Sequence, residues 1–156
     1  MIEFGKPIGF RNRFPPLLYK HLILTPTNIT SLFSTPYTLF PATPNVGFVV
    51  ERGWIYKEPG IAYTIGGAGN YSIVAGALNL LGPNAPTGFW DSASGRTVLW
   101  QGYGQNGVYP NMLLETQFAN VAITLQQATA NMTGGSGNTH ICMEFRAYTL
   151  PVVMWD

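Results

Sequence analysis

The stretch ICMEFRAY, residues 141–148, decides the fold class of this chain. Ile, Met, Phe and Ala stand at its odd positions, and Cys, Glu, Arg and Tyr stand between them. A period of two is that of a β-strand with one face toward a core and the other toward water or a neighbour. Residues 121–126 (VAITLQ) alternate in the same way, which favours a strand over the helix that segment 112–131 would also allow.

Similar short apolar segments, separated by turn residues, recur through the rest of the chain. Further predicted strands cover residues 21–24, 37–40, 46–56, 61–65, 71–75, 76–81, 96–101 and 112–118. Residues 57–60 and 132–138 are predicted turns. Segments 61–65 and 71–75 are expected to pair as a hairpin around a glycine-rich loop. Strands at this spacing predict an all-β, antiparallel jelly roll or β-sandwich in residues 21–156.

The first 20 residues differ from the rest and predict an extended N-terminal arm. They contain four basic residues and one acid, whereas the remainder contains four basic residues and six acids. Prolines at positions 7, 15 and 16 prevent a continuous helix. Aromatic and basic side chains along such a segment suit docking onto another surface, and the alternative is an arm folded back on its own body. The candidate contact residues are Phe4, Phe10, Arg11, Arg13, Phe14 and Tyr19.

The chain as a whole carries few charges. Only 10% of its residues are Asp, Glu, Lys or Arg, and the formal net charge is +1, whereas typical domains carry about 25% charged residues. This balance argues against a general attraction to nucleic acid or to an anionic membrane. We find neither an apolar run of membrane-helix length nor a secretory signal pattern, so we expect a cytoplasmic site of synthesis. A near-neutral, charge-poor surface favours a subunit of an assembly over a free monomer.

Residues that usually carry catalysis are scarce. A single cysteine, Cys142, argues against an intrachain disulfide and a cysteine-based zinc site. His21 and His140 are interpreted as ordinary surface residues, and His140 and Cys142 are predicted to share one face of a strand. Segment 102–107 (GYGQNG) has the letters of a dinucleotide-binding fingerprint, but Val-Tyr-Pro follows where a helix should begin. The sequence predicts no catalytic, cofactor or metal site.

Three segments, taken together, resemble small virion proteins of tailed phages. They are residues 34–42 (STPYTLFPA), residues 61–67 (IAYTIGG) and residues 134–148 (GGSGNTHICMEFRAY). The resemblance covers about residues 30–75 and 118–149. It departs from the family pattern where an aspartate usually precedes the last glycine, because Ser136 and Gly137 stand there.

The resemblance implies a jelly-roll or β-sandwich structural protein of a bacteriophage virion, of the capsid decoration (cement) type. Such a protein binds the assembled shell, has the major capsid protein as its partner, and acts as a homotrimer on the capsid surface. Under this hypothesis the arm residues contact the capsid or a neighbouring trimer. The expected function is to stabilise the shell, with no enzymatic activity, cofactor, nucleic acid or membrane involved.

Two alternatives remain. One is a fibre- or tail-associated module that binds a receptor or glycan, for which Trp90 and Trp100 are candidate stacking residues. The other is a carbohydrate-active jelly roll, which needs two carboxylates about 5–10 Å apart across a cleft. The realistic candidate acids are Glu51, Glu58, Asp91, Glu115 and Glu144.

Overall fold

A computed structural model describes residues 15–64, 71–76, 78–81, 88–101 and 120–149. This part of the chain forms ten strands and one short helix. The strands are β1 (Leu18–Leu24), β2 (Tyr37–Phe40), β3 (Val46–Lys57), β4 (Tyr63–Thr64), β5 (Tyr71–Ala75), β6 (Leu78–Leu81), β7 (Arg96–Gln101), β8 (Ile123–Gln127), β9 (Thr133–Gly134) and β10 (Thr139–Thr149), and helix α1 is Pro26–Thr30. The predicted all-β class is confirmed.

The strands form antiparallel sheets. The first sheet has the order β1-β10-β3-β7, and the second sheet has the order β2-β8-β5-β6. Strands β4 and β9 form a separate two-stranded ladder. The long strand β10 lies between β1 and β3, so the segment that decided the fold class is at the centre of the first sheet.

Most of the predicted strands are present, but the predicted hairpin is wrong. Strand β5 pairs with β6 and β8, whereas β4 pairs with β9. The reason lies in the loop after β9: Ile61 N–H donates to Ser136 Oγ (2.8 Å), and Ser136 N–H donates back to the Ile61 carbonyl (3.0 Å). These two bonds bind the segment before β4 to the 133–137 turn. The predicted strand 112–118 and the fingerprint-like segment 102–107 lie outside the described residues.

Helix α1 lies between the predicted strands 21–24 and 37–40, where the sequence predicts no element. Pro26 occupies the first helical turn, where its missing N–H costs nothing. Thr25 caps the helix, since Asn28 N–H donates to Thr25 Oγ1 and Thr25 N–H donates to Asn28 Oδ1. Ile29 is fully buried, so this single turn covers part of the core.

The core joins the two large sheets. Ile141, Met143 and Phe145 of β10 are buried on the same side of the first sheet, as the alternation predicts. The Phe145 ring meets the Phe40 ring of the second sheet edge-on, at 4.7 Å between centroids. At the other end of the core lies an aromatic cluster of buried rings, which consists of Tyr63, Tyr71, Phe89 and Trp90.

The end of β3 contains a buried lysine. Lys57 is fully buried, and its ammonium donates to the carbonyls of Glu58 (3.1 Å) and Ser92 (2.9 Å). Burial lowers the pKa of Lys57, because the charged form loses solvation. The two carbonyls offset part of that loss, and the bond to the Glu58 carbonyl holds the backbone at that residue.

Candidate functional site

The first sheet has a second face, directed away from the core, which we call the outer face. His140, Cys142 and Glu144 alternate with the core residues of β10 and therefore belong to it. Strand register extends this assignment to all four strands. The outer face comprises three rows: Ile23, His140, Tyr56 and Thr97; His21, Cys142, Trp54 and Leu99; and Tyr19, Glu144 and Arg52.

Large apolar side chains are exposed on the outer face. The exposed fractions are 59% for Tyr19, 50% for Ile23 and 70% for Leu99. Trp54 is half-buried, and the Tyr19 ring lies against it at 6.1 Å between centroids. Tyr19 also contacts the buried Cys142, and the hydrogen bond between their side chains raises the pKa of Tyr19. An apolar surface that crosses a whole sheet is typical of an interaction face.

The charged groups at one end of this face are paired with one another. Arg52 binds both carboxylate oxygens of Glu144, with distances of 2.5 and 3.1 Å. This hydrogen bonding raises the pKa of Arg52. A bulge in β3 leaves Glu51 without a partner in the register, and Arg146 Nε donates to its carboxylate at 2.9 Å. Each arginine thus neutralises a carboxylate on an adjacent strand.

A hydrogen-bonded chain of three side chains lies at the other end of the outer face. His140 Nε2 is 2.9 Å from Glu58 Oε1, and His140 Nδ1 is 3.0 Å from His21 Nε2. The two imidazole rings stack, with centroids 5.2 Å apart and planes inclined by 15°. Tyr56 flanks His140 at 5.8 Å between ring centroids. We call Glu58, His140 and His21 the histidine relay.

Three separate parts of the chain position the relay. His21 comes from β1, His140 comes from β10, and Glu58 directly follows β3. In the register His140 faces Ile23 and Cys142 faces His21, so the two imidazoles are diagonal neighbours on one face. Glu58 is fixed from both ends: Asn138 N–H donates to its Oε2 at 2.8 Å, and Lys57 binds its carbonyl.

The electrostatics of the relay define its hydrogen positions. The hydrogen bond from His140 and the one from the Asn138 backbone lower the pKa of Glu58, so its carboxylate is ionised at neutral pH. An ionised carboxylate only accepts, so His140 Nε2 carries a hydrogen. In neutral His140 the Nδ1 atom then presents a lone pair, and His21 Nε2–H donates to it. The relay is thus a pair of imidazoles with a defined tautomer and an ionised carboxylate behind them.

Of the residues singled out from the sequence, the structure places those that it describes in different parts of the molecule. Tyr19 belongs to β1 and to the outer face, so the predicted arm boundary at residue 20 falls inside a strand. Phe4, Phe10, Arg11, Arg13 and Phe14 lie outside the described residues. Trp90 is buried in the core and is not available for stacking on a sugar, and the Trp100 side chain is not among those described.

Three of the acids considered for catalysis are paired with a basic side chain. Glu51 and Glu144 each pair with an arginine, and Glu58 pairs with His140. Asp91 is exposed, and Glu115 lies outside the described residues. Across the described part of the chain, His, Cys, Asp and Glu side chains form no group of three or more that could hold a metal ion.

The sequence did not predict the histidine relay. The two histidines are 119 residues apart, and Glu58 is 82 residues from His140. The one local signal was the spacing of His140 and Cys142, which are two residues apart on β10 and therefore share one of its faces. Nothing in the sequence indicated that β1 would lie next to β10 and bring His21 to the same face.

Comparison with known proteins gives no relative from which a function can be transferred. No family model matches the chain, and neither a curated protein nor a solved structure shows significant similarity to it. None of the helices in the described ranges has the length and apolar character needed to cross a membrane. The function is therefore inferred from the outer face and the sheet arrangement.

Proposed function

We propose that this chain is a structural protein of a bacteriophage virion, of the capsid decoration type, which binds the assembled shell as a homotrimer and stabilises it. The observation that carries the proposal is the outer face, an apolar surface that crosses all four strands of the first sheet. The resemblance of residues 34–42, 61–67 and 134–148 to small phage virion proteins also supports this proposal.

We further propose that the two large sheets form a jelly-roll sandwich. Among the described strands, the chain passes from one sheet to another at almost every step, and β5–β6 is the only connection that stays within a sheet. The first and last described strands are neighbours, in the order β1-β10-β3-β7 opposite β2-β8-β5-β6. Two four-stranded antiparallel sheets with connections of this kind are typical of a jelly roll. The contact between Phe40 and Phe145 supports face-to-face packing.

The outer face has the composition of a subunit interface. Exposed Tyr19 and Leu99 flank half-buried Trp54, and aromatic side chains are enriched at interfaces whereas unpaired charges are depleted. The charges of Arg52 and Glu144 are already neutralised by each other, so covering them leaves no unpaired ion. In a three-fold ring this face would pack against a different surface of the next copy.

A decoration protein needs no catalytic chemistry. Because it binds the assembled lattice and not the separate capsid subunits, binding shifts the equilibrium toward the assembled state. The low charge content of the whole chain agrees with a surface that is largely covered by neighbours.

The function is tested by counting copies of the chain in purified particles of the phage that encodes it. A decoration protein should be present at a stoichiometry comparable to that of the major capsid protein, measured by quantitative mass spectrometry. A few copies per particle would instead support the fibre- or tail-associated module. Complete absence from the particle would contradict both.

The trimer interface is tested by placing a charge on the outer face. Replacement of Leu99 by lysine should dissociate the homotrimer at micromolar concentration, because the new ammonium would be buried in an apolar contact. Sedimentation velocity measures the change. Thr38→Lys, on an exposed position of the second sheet, is the matched control and should remain trimeric. A monomeric wild-type protein, or equal behaviour of the two variants, would show that the outer face is not this interface.

A further inference from the structure

The histidine relay brings two imidazole nitrogens within 3.0 Å of each other on the outer face. We propose that His21 Nε2 and His140 Nδ1 together bind one divalent transition-metal ion such as Zn²⁺, with Glu58 as the carboxylate that orients His140. This site is independent of the proposed function in the virion. A metal ion bound there would add a coordination site to the apolar outer face.

The distance between the two nitrogens fits this role. They lie 3.0 Å apart and share one hydrogen. Two imidazole nitrogens that bind the same tetrahedral Zn²⁺, each about 2.0–2.1 Å from it, are separated by roughly 3.3 Å. A small rotation of the exposed His21 ring would open that gap. The metal ion would then take the place of the shared hydrogen, which moves to Nδ1 of His21 by a change of tautomer, so that both imidazoles bind the ion as neutral ligands.

The arrangement behind His140 is the second reason. Metal-binding histidines usually donate their other ring N–H to a carboxylate or carbonyl, which fixes the tautomer and makes the ligating nitrogen more basic. His140 Nε2–H donates in this way to Glu58 Oε1 at 2.9 Å. The carboxylate is itself held by Asn138 N–H at 2.8 Å. His140 is therefore oriented for coordination through Nδ1 before any ion arrives.

The charge around the relay also favours a cation. The Glu58 carboxylate is ionised and attracts a cation. The ammonium of Lys57 does not pair with this carboxylate, because it donates to the carbonyls of Glu58 and Ser92. With two protein ligands, the remaining coordination positions belong to water or to a side chain of a neighbouring subunit. Imidazole nitrogen suits Zn²⁺, Ni²⁺ and Cu²⁺, and Cu²⁺ should bind most tightly of the three.

The experiment is a Zn²⁺ titration of the full-length protein by calorimetry at pH 7.5, repeated by NMR of the imidazole nitrogens. One ion per chain should bind, with perturbation of both histidines. Affinity should fall as the pH is lowered, because protons compete with the metal ion for imidazole nitrogen. His21 and His140 are the only histidines in the chain, so the NMR signals are unambiguous.

Variants separate the parts of the site. His21→Gln, at an exposed position of β1, should abolish binding without affecting the fold, which circular dichroism verifies. Glu58→Gln keeps both nitrogens and should weaken binding by about 10–100-fold, the usual effect of losing such an orienting group. Cys142→Ser removes the only thiol and should bind as the wild type does.

Three results would overturn the proposal. The first is no binding of Zn²⁺ at millimolar concentration. The second is binding that His21→Gln leaves unchanged. The third is binding that Cys142→Ser abolishes, which would place the ion on the thiol. Unchanged affinity in Glu58→Gln would refute the orienting role of the carboxylate.

Discussion

Replacement of Gly135 by alanine should destabilise the protein by about 3–5 kcal/mol, the largest effect expected for any single methyl group added to the described residues. Gly135 has a φ of +81°, a left-handed conformation that costs other residues energy. A Cβ atom at this position would lie 2.2 Å from Cδ1 of Tyr63. The backbone strain and the clash have separate causes, so their costs in folding free energy add.

Tyr63 has little freedom to move away from that methyl group. It is 1% exposed, its hydroxyl donates to the Gly137 carbonyl at 3.1 Å, and its ring packs edge-on against Trp90. Displacement of the ring would break the hydrogen bond and disturb the aromatic cluster. The turn around β9 and the core beneath it are therefore coupled through one side chain.

Gly134→Ala provides the matched control for Gly135→Ala. Gly134 is also left-handed, with a φ of +64°, but a Cβ atom there would meet nothing within 4 Å. Gly134→Ala should therefore lower the free energy of unfolding only by the backbone strain, about 1–2 kcal/mol. Urea unfolding measures both variants, and the thermal midpoint of Gly135→Ala should fall by roughly 10 °C. Equal destabilisation of the two would contradict the predicted clash.

Truncation of Trp90 to alanine should cost about 3–5 kcal/mol, because it leaves a large cavity in the aromatic cluster. Trp90 is 1% exposed, with ring centroids 4.7 Å from Phe89 and 5.3 Å from Tyr71. Its carbonyl also accepts from Tyr63 N–H at 3.0 Å. The segment before β7 is thus held to the start of β4 by this backbone bond and by the contact between the Trp90 and Tyr63 rings.

Trp90→Phe is the control for this truncation. It keeps an aromatic ring in contact with Phe89 and Tyr71 and should cost about 1–2 kcal/mol. Urea unfolding with near-ultraviolet circular dichroism measures the stability and follows the loss of aromatic packing. Near-wild-type stability of Trp90→Ala would show that the cluster collapses around the missing ring.

The strands were predictable because their signal is local. Residues 37–40 and 96–101 coincide with β2 and β7, and the alternation in 141–148 marks both the core face and the outer face of β10. The hairpin prediction failed because chain proximity favoured 71–75 as the partner of 61–65, whereas hydrogen bonds between Ile61 and Ser136 determine the actual pairing. Local sequence contains no information about such a distant partner.

The candidate site was less predictable for the same reason. Cys142 and His140 share a face by their spacing alone, and the structure agrees. His21 and Glu58 reach that face only through the pairing of β1 with β10 and the length of β3. The isolated histidines therefore looked ordinary in the sequence, although the fold makes them neighbours.

The position of β10 between β1 and β3 has a consequence for biosynthesis. Leu18 pairs with Phe145, so the first described strand finds its partner only when the last one has left the ribosome. Until then β1 and β3 both present unpaired strand edges, which are prone to aggregation. Closing so long a stretch of chain is slow, so these edges of the first sheet stay open until β10 has paired with them.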